Sequence, residues 1–109
     1  LQGQFQAQIN LGSMYDKGRG VRQDYNQAMS WYKKAAEQGR SEGYYNMGHM
    51  YAEGRGVAQD LVKAYMYWDI AVEKNHEGAV YNRGVISKEM SLSQIEKAEE
   101  LARESLARH

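Results

Sequence analysis

The side chains best suited to acid–base or metal chemistry in this 109-residue chain are its three histidines, His49, His76 and His109. His49 and Glu53 stand four residues apart, which on a helix puts both on one face within reach of a shared metal ion. Zinc takes three or four protein ligands. No third ligand accompanies the pair, so a solvated helix face is the expectation and no metal is assigned. His76 falls at a turn and His109 at the last position, neither with a partner visible in the sequence. The serines sit in no nucleophile motif, and the glycines precede no Gly-Lys-Ser/Thr that would make a phosphate loop. With no cysteine, thiolate metal sites and disulfides are excluded. No catalytic residue and no cofactor is assigned, and the chain reads as something other than an enzyme.

What remains is recognition chemistry. Asn10, Asn46 and Asn82 recur at one fixed interval, accompanied by Ser13, His49, Tyr45 and Tyr81. An asparagine amide can both donate to and accept from a peptide backbone, and tyrosine offers a large contact area with a polar tip. These seven residues are the candidate partner-binding set. A structural reading stands beside it: the Asn10-Asn46-Asn82 ladder could tie each helix to the next. Tyr45 and Tyr81 could belong to the core between repeats, as Ile9 at the same position suggests.

Charge narrows the partner class. Lys plus Arg and Asp plus Glu balance at 14 each, which lacks the basic surplus that phosphate contacts require, so no nucleic acid is expected. No apolar run approaches the ~20 residues of a spanning helix, so no membrane insertion is expected. The opening Leu1-Gln2-Gly3-Gln4 has neither an initiator Met nor a basic-then-apolar pattern, so these residues contain no targeting segment.

The elements that must position these residues follow from an internal period of 36 residues. Gly12 recurs as Gly48 and Gly84, and Ala7 as Gly43 and Ala79. Tyr15, Gly18, Gly20, Val21, Asp24, Ala28 and Ala35 recur as Tyr51, Gly54, Gly56, Val57, Asp60, Ala64 and Ala71. Each unit reads as two helices, the first over about 4–17 and 41–53, ended by Gly18 or Gly54. A turn pinned by Val21 or Val57 follows. The second helix starts at the N-caps Asp24 and Asp60, and Asp24 with Gln27 has the form of a capping box. Its apolar stripe is Ala28-Trp31-Tyr32-Ala35-Ala36, then Ala64-Tyr67-Trp68-Ala71-Val72, with both tryptophans assigned to the core. Gly39 and Asn75 close these helices.

A glycine inside a helix is costly, and its threefold recurrence implies that a neighbouring Trp or Tyr needs the space. The third unit is shorter and lacks the Gly-x-Gly-Val turn. It has its own capping box at Ser91 and Gln94, and its last helix is expected to bury Ile95, Ala98, Leu101, Ala102 and Leu106. Glu99 with Arg103 and Glu104 with Arg108 form candidate i,i+4 pairs. The unit boundaries are about 4–39, 40–75 and 76–108 within a single domain of residues 1–109. Phe5 and Ile9, with no preceding repeat to cover them, make the N-terminal end a candidate surface for self-association.

The run Leu11-Gly12-x-x-Tyr15-x-x-Gly18-x-Gly20-Val21-x-x-Asp24-x-x-x-Ala28-x-x-Trp31-Tyr32-x-Lys34-Ala35-Ala36-x-x-Gly39, with its second copy from Met47-Gly48 to Asn75, resembles the Sel-one-like repeat, a relative of the tetratricopeptide repeat. The resemblance implies an all-α fold, an α-α superhelix of antiparallel helix pairs with about three repeats and an atypical, capping last unit. It implies an adaptor or scaffold that binds a protein or peptide on a concave face lined by the first helix of each pair. It also implies an exported or periplasmic setting, common among bacterial members. The alternatives are a self-associating fragment of a longer repeat protein and a nonenzymatic regulator or carrier in the bacterial cell envelope.

Overall fold

The computed structural model describes residues 2–108; His109 lies outside them. In chain order they form α1 (Gln2–Lys17), α2 (Tyr25–Glu37), α3 (Ser41–Glu53), α4 (Leu61–Glu73), α5 (Glu77–Ser87) and α6 (Leu92–Ala107). There is no strand among the described residues, and the expected all-α helical repeat fold is what the chain adopts.

The first two units are built by the same local chemistry. Gly18 and Gly54 turn the chain at φ 67° and 65°, a left-handed geometry that costs glycine nothing sterically. The Arg19 N–H donates to the Met14 carbonyl at 2.9 Å, and Arg55 repeats this on Met50 at 2.9 Å. Gln23 Nε2 reaches back to the Asp16 carbonyl at 2.9 Å, and Gln59 does the same to Ala52 at 2.9 Å. Val21 and Val57 are only half-buried, so these bonds secure the turn alongside them. Asp24 and Asp60 then cap α2 and α4 by accepting from the Gln27 and Lys63 N–H groups at 3.1 and 3.0 Å. Each cap is worth about 1 kcal/mol over alanine. The box expected at Asp24 stays half made, because the Asp24 N–H donates to the Tyr15 carbonyl at 2.9 Å instead. The box at Ser91 and Gln94 closes in both directions, at 2.8 and 3.1 Å.

Packing follows the small residues. Tyr32 lies over Gly12, where an added Cβ would meet the ring at 2.5 Å, and Trp68 lies over Gly48 even more closely. Tyr32 and Trp68 are 2% and 3% exposed. Trp31 is different: it is half-buried with Lys34 Nζ 4.3 Å from the ring. Spacing put residues 31 and 32 on one stripe, but the glycine accepts only the second ring. Units join where Gly43 passes the α2 backbone, with room for no side chain between it and Ala36.

The third unit breaks this pairing. The link after α5 is the four residues 88–91 rather than the seven of 18–24 and 54–60, and α6 packs chiefly on α4 rather than on α5. Ala98 and Ala102 are fully buried there, with Ile95, Leu101 and Leu106 half-buried. With α6 on α4, and Ala102 at the sequence register of Trp68, no ring reaches Gly84, and nothing lies within 4 Å of a Cβ placed on it. The third glycine therefore departs from its expected role. Among the described residues the ion pairs expected along α6 do not form; half-buried Glu99 instead accepts from the Tyr65 hydroxyl of α4 at 3.2 Å.

Candidate interaction groove

Residues of α1 and α3, the first helices of units one and two, line a groove of about 460 Å³. Asn10 and Ser13 line one wall, and Tyr45, Asn46 and His49 the other. Lys17, Glu53 and Arg55 line it as well. Five of the seven residues singled out by sequence thus border one cavity.

Each of them meets different neighbours. Asn10 is exposed and accepts from Gln6 Nε2, one turn earlier, at 3.0 Å. Asn46 is half-buried, and its amide makes no hydrogen bond among the described residues. Asn82 reaches across from α5, its Nδ2 standing 3.2 Å from His49 Nε2. The ladder therefore does not act as one device: only Asn82 ties one unit to another. Tyr45 is half-buried, stacked on His76 at 4.1 Å between centroids, and its carbonyl accepts from Trp68 Nε1 at 2.9 Å. Tyr81, for which both a surface and a core reading stood open, is 73% exposed because α6 lies on α4 rather than on α5.

His49 sits at the centre of an aromatic and polar knot, edge-on to Tyr45 at 4.7 Å and to Trp68 at 5.3 Å. Burial pulls its pKa below the ordinary 6.5, and the Glu53 carboxylate, 3.4 Å from Nδ1, opposes this. In its neutral form with the proton on Nδ1, the ring donates toward Glu53 and accepts from the Asn82 amide. No group of three His, Asp or Glu suited to a metal ion occurs among the described residues. His76 has the partners its sequence context did not reveal: Nδ1 accepts from the Ala79 N–H at 3.2 Å and caps α5.

Sequence reasoning missed the groove's floor. Asp16, 6% exposed, accepts from the Tyr32 hydroxyl at 3.2 Å and from Arg55 Nη1 at 2.9 Å. Burial, then the carboxylate, raises the Tyr32 phenol well above its ordinary range, so it remains a donor. This joins α1, α2 and the turn after α3. The one available signal was an interruption: Asp16 stands where the next unit has Ala52. A second cross-unit pair, Asp69 with Arg83, joins α4 to α5. Burial raises the Asp69 pKa, against the pull of Arg83.

Phe5 and Ile9 turn toward the second unit. The Arg40 guanidinium lies 3.7 Å from the Phe5 ring centroid, and both side chains line a small cleft with Arg40 and Glu42. The opening end thus exposes less apolar surface than expected.

The Sel1 repeat matches at residues 5–39 and 41–76. Among solved structures, a protective antigen of uropathogenic Escherichia coli strains, displaying an SLR fold, is similar with a TM-score of 0.87 and 36% identity over 94% of this chain. A Sel1 repeat protein from Oxalobacter formigenes is similar with a TM-score of 0.75 and 32% identity over 94% of it. The chain spans 22% and 44% of the lengths of those two proteins. No curated protein matches it.

Proposed function

The chain belongs to the Sel1 repeat family, whose members are generally protein-interaction scaffolds, and on that premise we propose that it is an interaction module gripping an extended peptide segment in the α1–α3 groove. One observation carries this reading. Asn46 is half-buried in the groove and its amide has no partner among the described residues, which leaves both its donor and its acceptor available to a ligand. A peptide backbone lying along the groove offers that amide both a carbonyl and an N–H. Ser13 and Asn10 face it from α1, and the Tyr45 ring supplies the apolar wall. The mixed charges of Lys17, Glu53 and Arg55 favour a partner of mixed polarity over a strongly charged one.

The groove is not a reaction centre in this reading. Its one buried carboxylate, Asp16, is held by Arg55 and Tyr32, which leaves it no free role as a base. The test is selection of displayed peptides on the immobilised chain, followed by affinity measurement against Asn46→Ala and Ser13→Arg. Asn46→Ala is expected to leave the melting temperature unchanged and weaken binding about tenfold, the range of a lost buried hydrogen bond. Peptides that bind both variants as well as the parent chain, or a selection that enriches nothing, would remove the groove from consideration.

A further inference from the structure

The large hydrophobic side chains that stand exposed among the described residues are Val80, Tyr81, Val85 and Leu92, and three of the four lie on α5. With Glu77, Gly84 and Lys88, the three on α5 make an outer stripe. At 3.6 residues per turn, Glu77, Val80, Tyr81, Gly84, Val85 and Lys88 fall within an arc of about 140°, opposite the side where Ala79 and Ile86 are buried. All six are exposed. The corresponding stretch of α3 includes Tyr44 and Gly48, which are buried, Gly48 under Trp68 of α4. In the third unit α6 has gone to α4, and the stripe is left without its helix.

We propose that this stripe pairs two copies of the chain through an antiparallel α5–α5 contact. The sequence of the stripe is complementary to its own reversal. About a two-fold axis between Asn82 and Arg83, Tyr81 faces the partner subunit's Gly84, Val80 faces the partner subunit's Val85, and Glu77 faces the partner subunit's Lys88. Each contact occurs twice, as an isologous interface requires. A ring seated on a helix glycine is already how α2 docks on α1 and α4 on α3. The open Gly84 is the same socket, and Tyr81 is the ring nearest to hand. The two acid–lysine pairs at the ends set the antiparallel direction, because a parallel pairing would oppose like charges. Exposed apolar stripes of this kind mark association surfaces. An 11-residue helix is only about 16 Å long, so the interface is small and the dimer weak, with a dissociation constant on the order of 0.1 mM. The groove between α1 and α3 contributes no residue to this contact, so the two proposals stand independently.

Sedimentation velocity of the chain from about 0.01 to about 1 mM tests it across that constant. The parent chain is expected to shift toward twice its mass. Gly84→Gln fills the socket without charge and without collision inside its own fold, so helicity and melting should not fall, and should rise slightly with the better helix former, while dimerisation weakens about thirtyfold. Glu77→Lys should weaken it too, and adding Lys88→Glu should restore it. A parent chain that remains monomeric throughout overturns the proposal and gives the stripe to a foreign helix. A dimer indifferent to Gly84→Gln, or a charge reversal without rescue, overturns it equally.

Discussion

Gly48 and Gly84 occupy one position of the repeat, yet one lies beneath an indole and the other faces open space. The difference is made far along the chain, by a link of four residues in place of seven and by Ala102 in place of Trp68. A repeated glycine is therefore not a repeated role. It is a permission for close approach, and whether a neighbour takes it depends on the helix that follows.

The packing is most sensitive at Gly48, beneath Trp68. Gly48→Leu drives a side chain into Trp68 and should cost about 3 kcal/mol or more, lowering the melting temperature by about 15 °C. A shift of only a few degrees would mean that Trp68 has room to withdraw. Next comes the charged floor of the groove. Arg55→Leu leaves buried Asp16 with only the Tyr32 hydroxyl, and urea unfolding should register a loss of about 2 kcal/mol. The double change Asp16→Leu with Arg55→Leu should recover much of that, since no charge is then stranded. At Gly84 the sign reverses. Gly84→Ala, measured at dilution, should stabilise by about 1 kcal/mol, raising melting by about 5 °C; a fall would show that the open space is occupied.

The smallest effect is that of pH on His49. Its folded pKa lies below 6.5, so in the window beneath that value the unfolded chain binds the extra proton more readily. Stability should therefore fall as pH drops through that window, as protonation removes the lone pair that accepts from Asn82. His49→Gln should flatten the slope there, and an unchanged slope would assign it to other groups.

Much of this was legible beforehand, for definable reasons. The 36-residue period carried the helices, the caps at Asp24 and Asp60 and the buried rings over Gly12 and Gly48, because each is a local rule stated twice. Groove residues Asn10, Ser13, Tyr45, Asn46 and His49 could be gathered because helical register alone brings them to one side. The Asp16–Arg55 pair could not, since it joins dissimilar positions of neighbouring units and leaves no periodic trace. Trp31 was misjudged, and Tyr81 was left between surface and core, because exposure depends on where another helix comes to rest. The asparagines looked alike because identity at one register says nothing about the neighbour each will meet: Gln6 for Asn10, His49 for Asn82.

The Asp16–Arg55 pair also bears on how such an array can lengthen. Arrays lengthen by duplicating a unit and splicing the copy beside the original. Insert a copy of the second unit after the first, and Asp16 finds the copy's arginine. The original arginine then faces the copy's alanine, which stands where the carboxylate should be, because position 52 is Ala52. A half-buried cation is stranded at the new junction until a further mutation supplies an acid. This boundary is a poor splice point, and lineages that lengthen the array there should carry a compensating Asp or Glu in the duplicated helix.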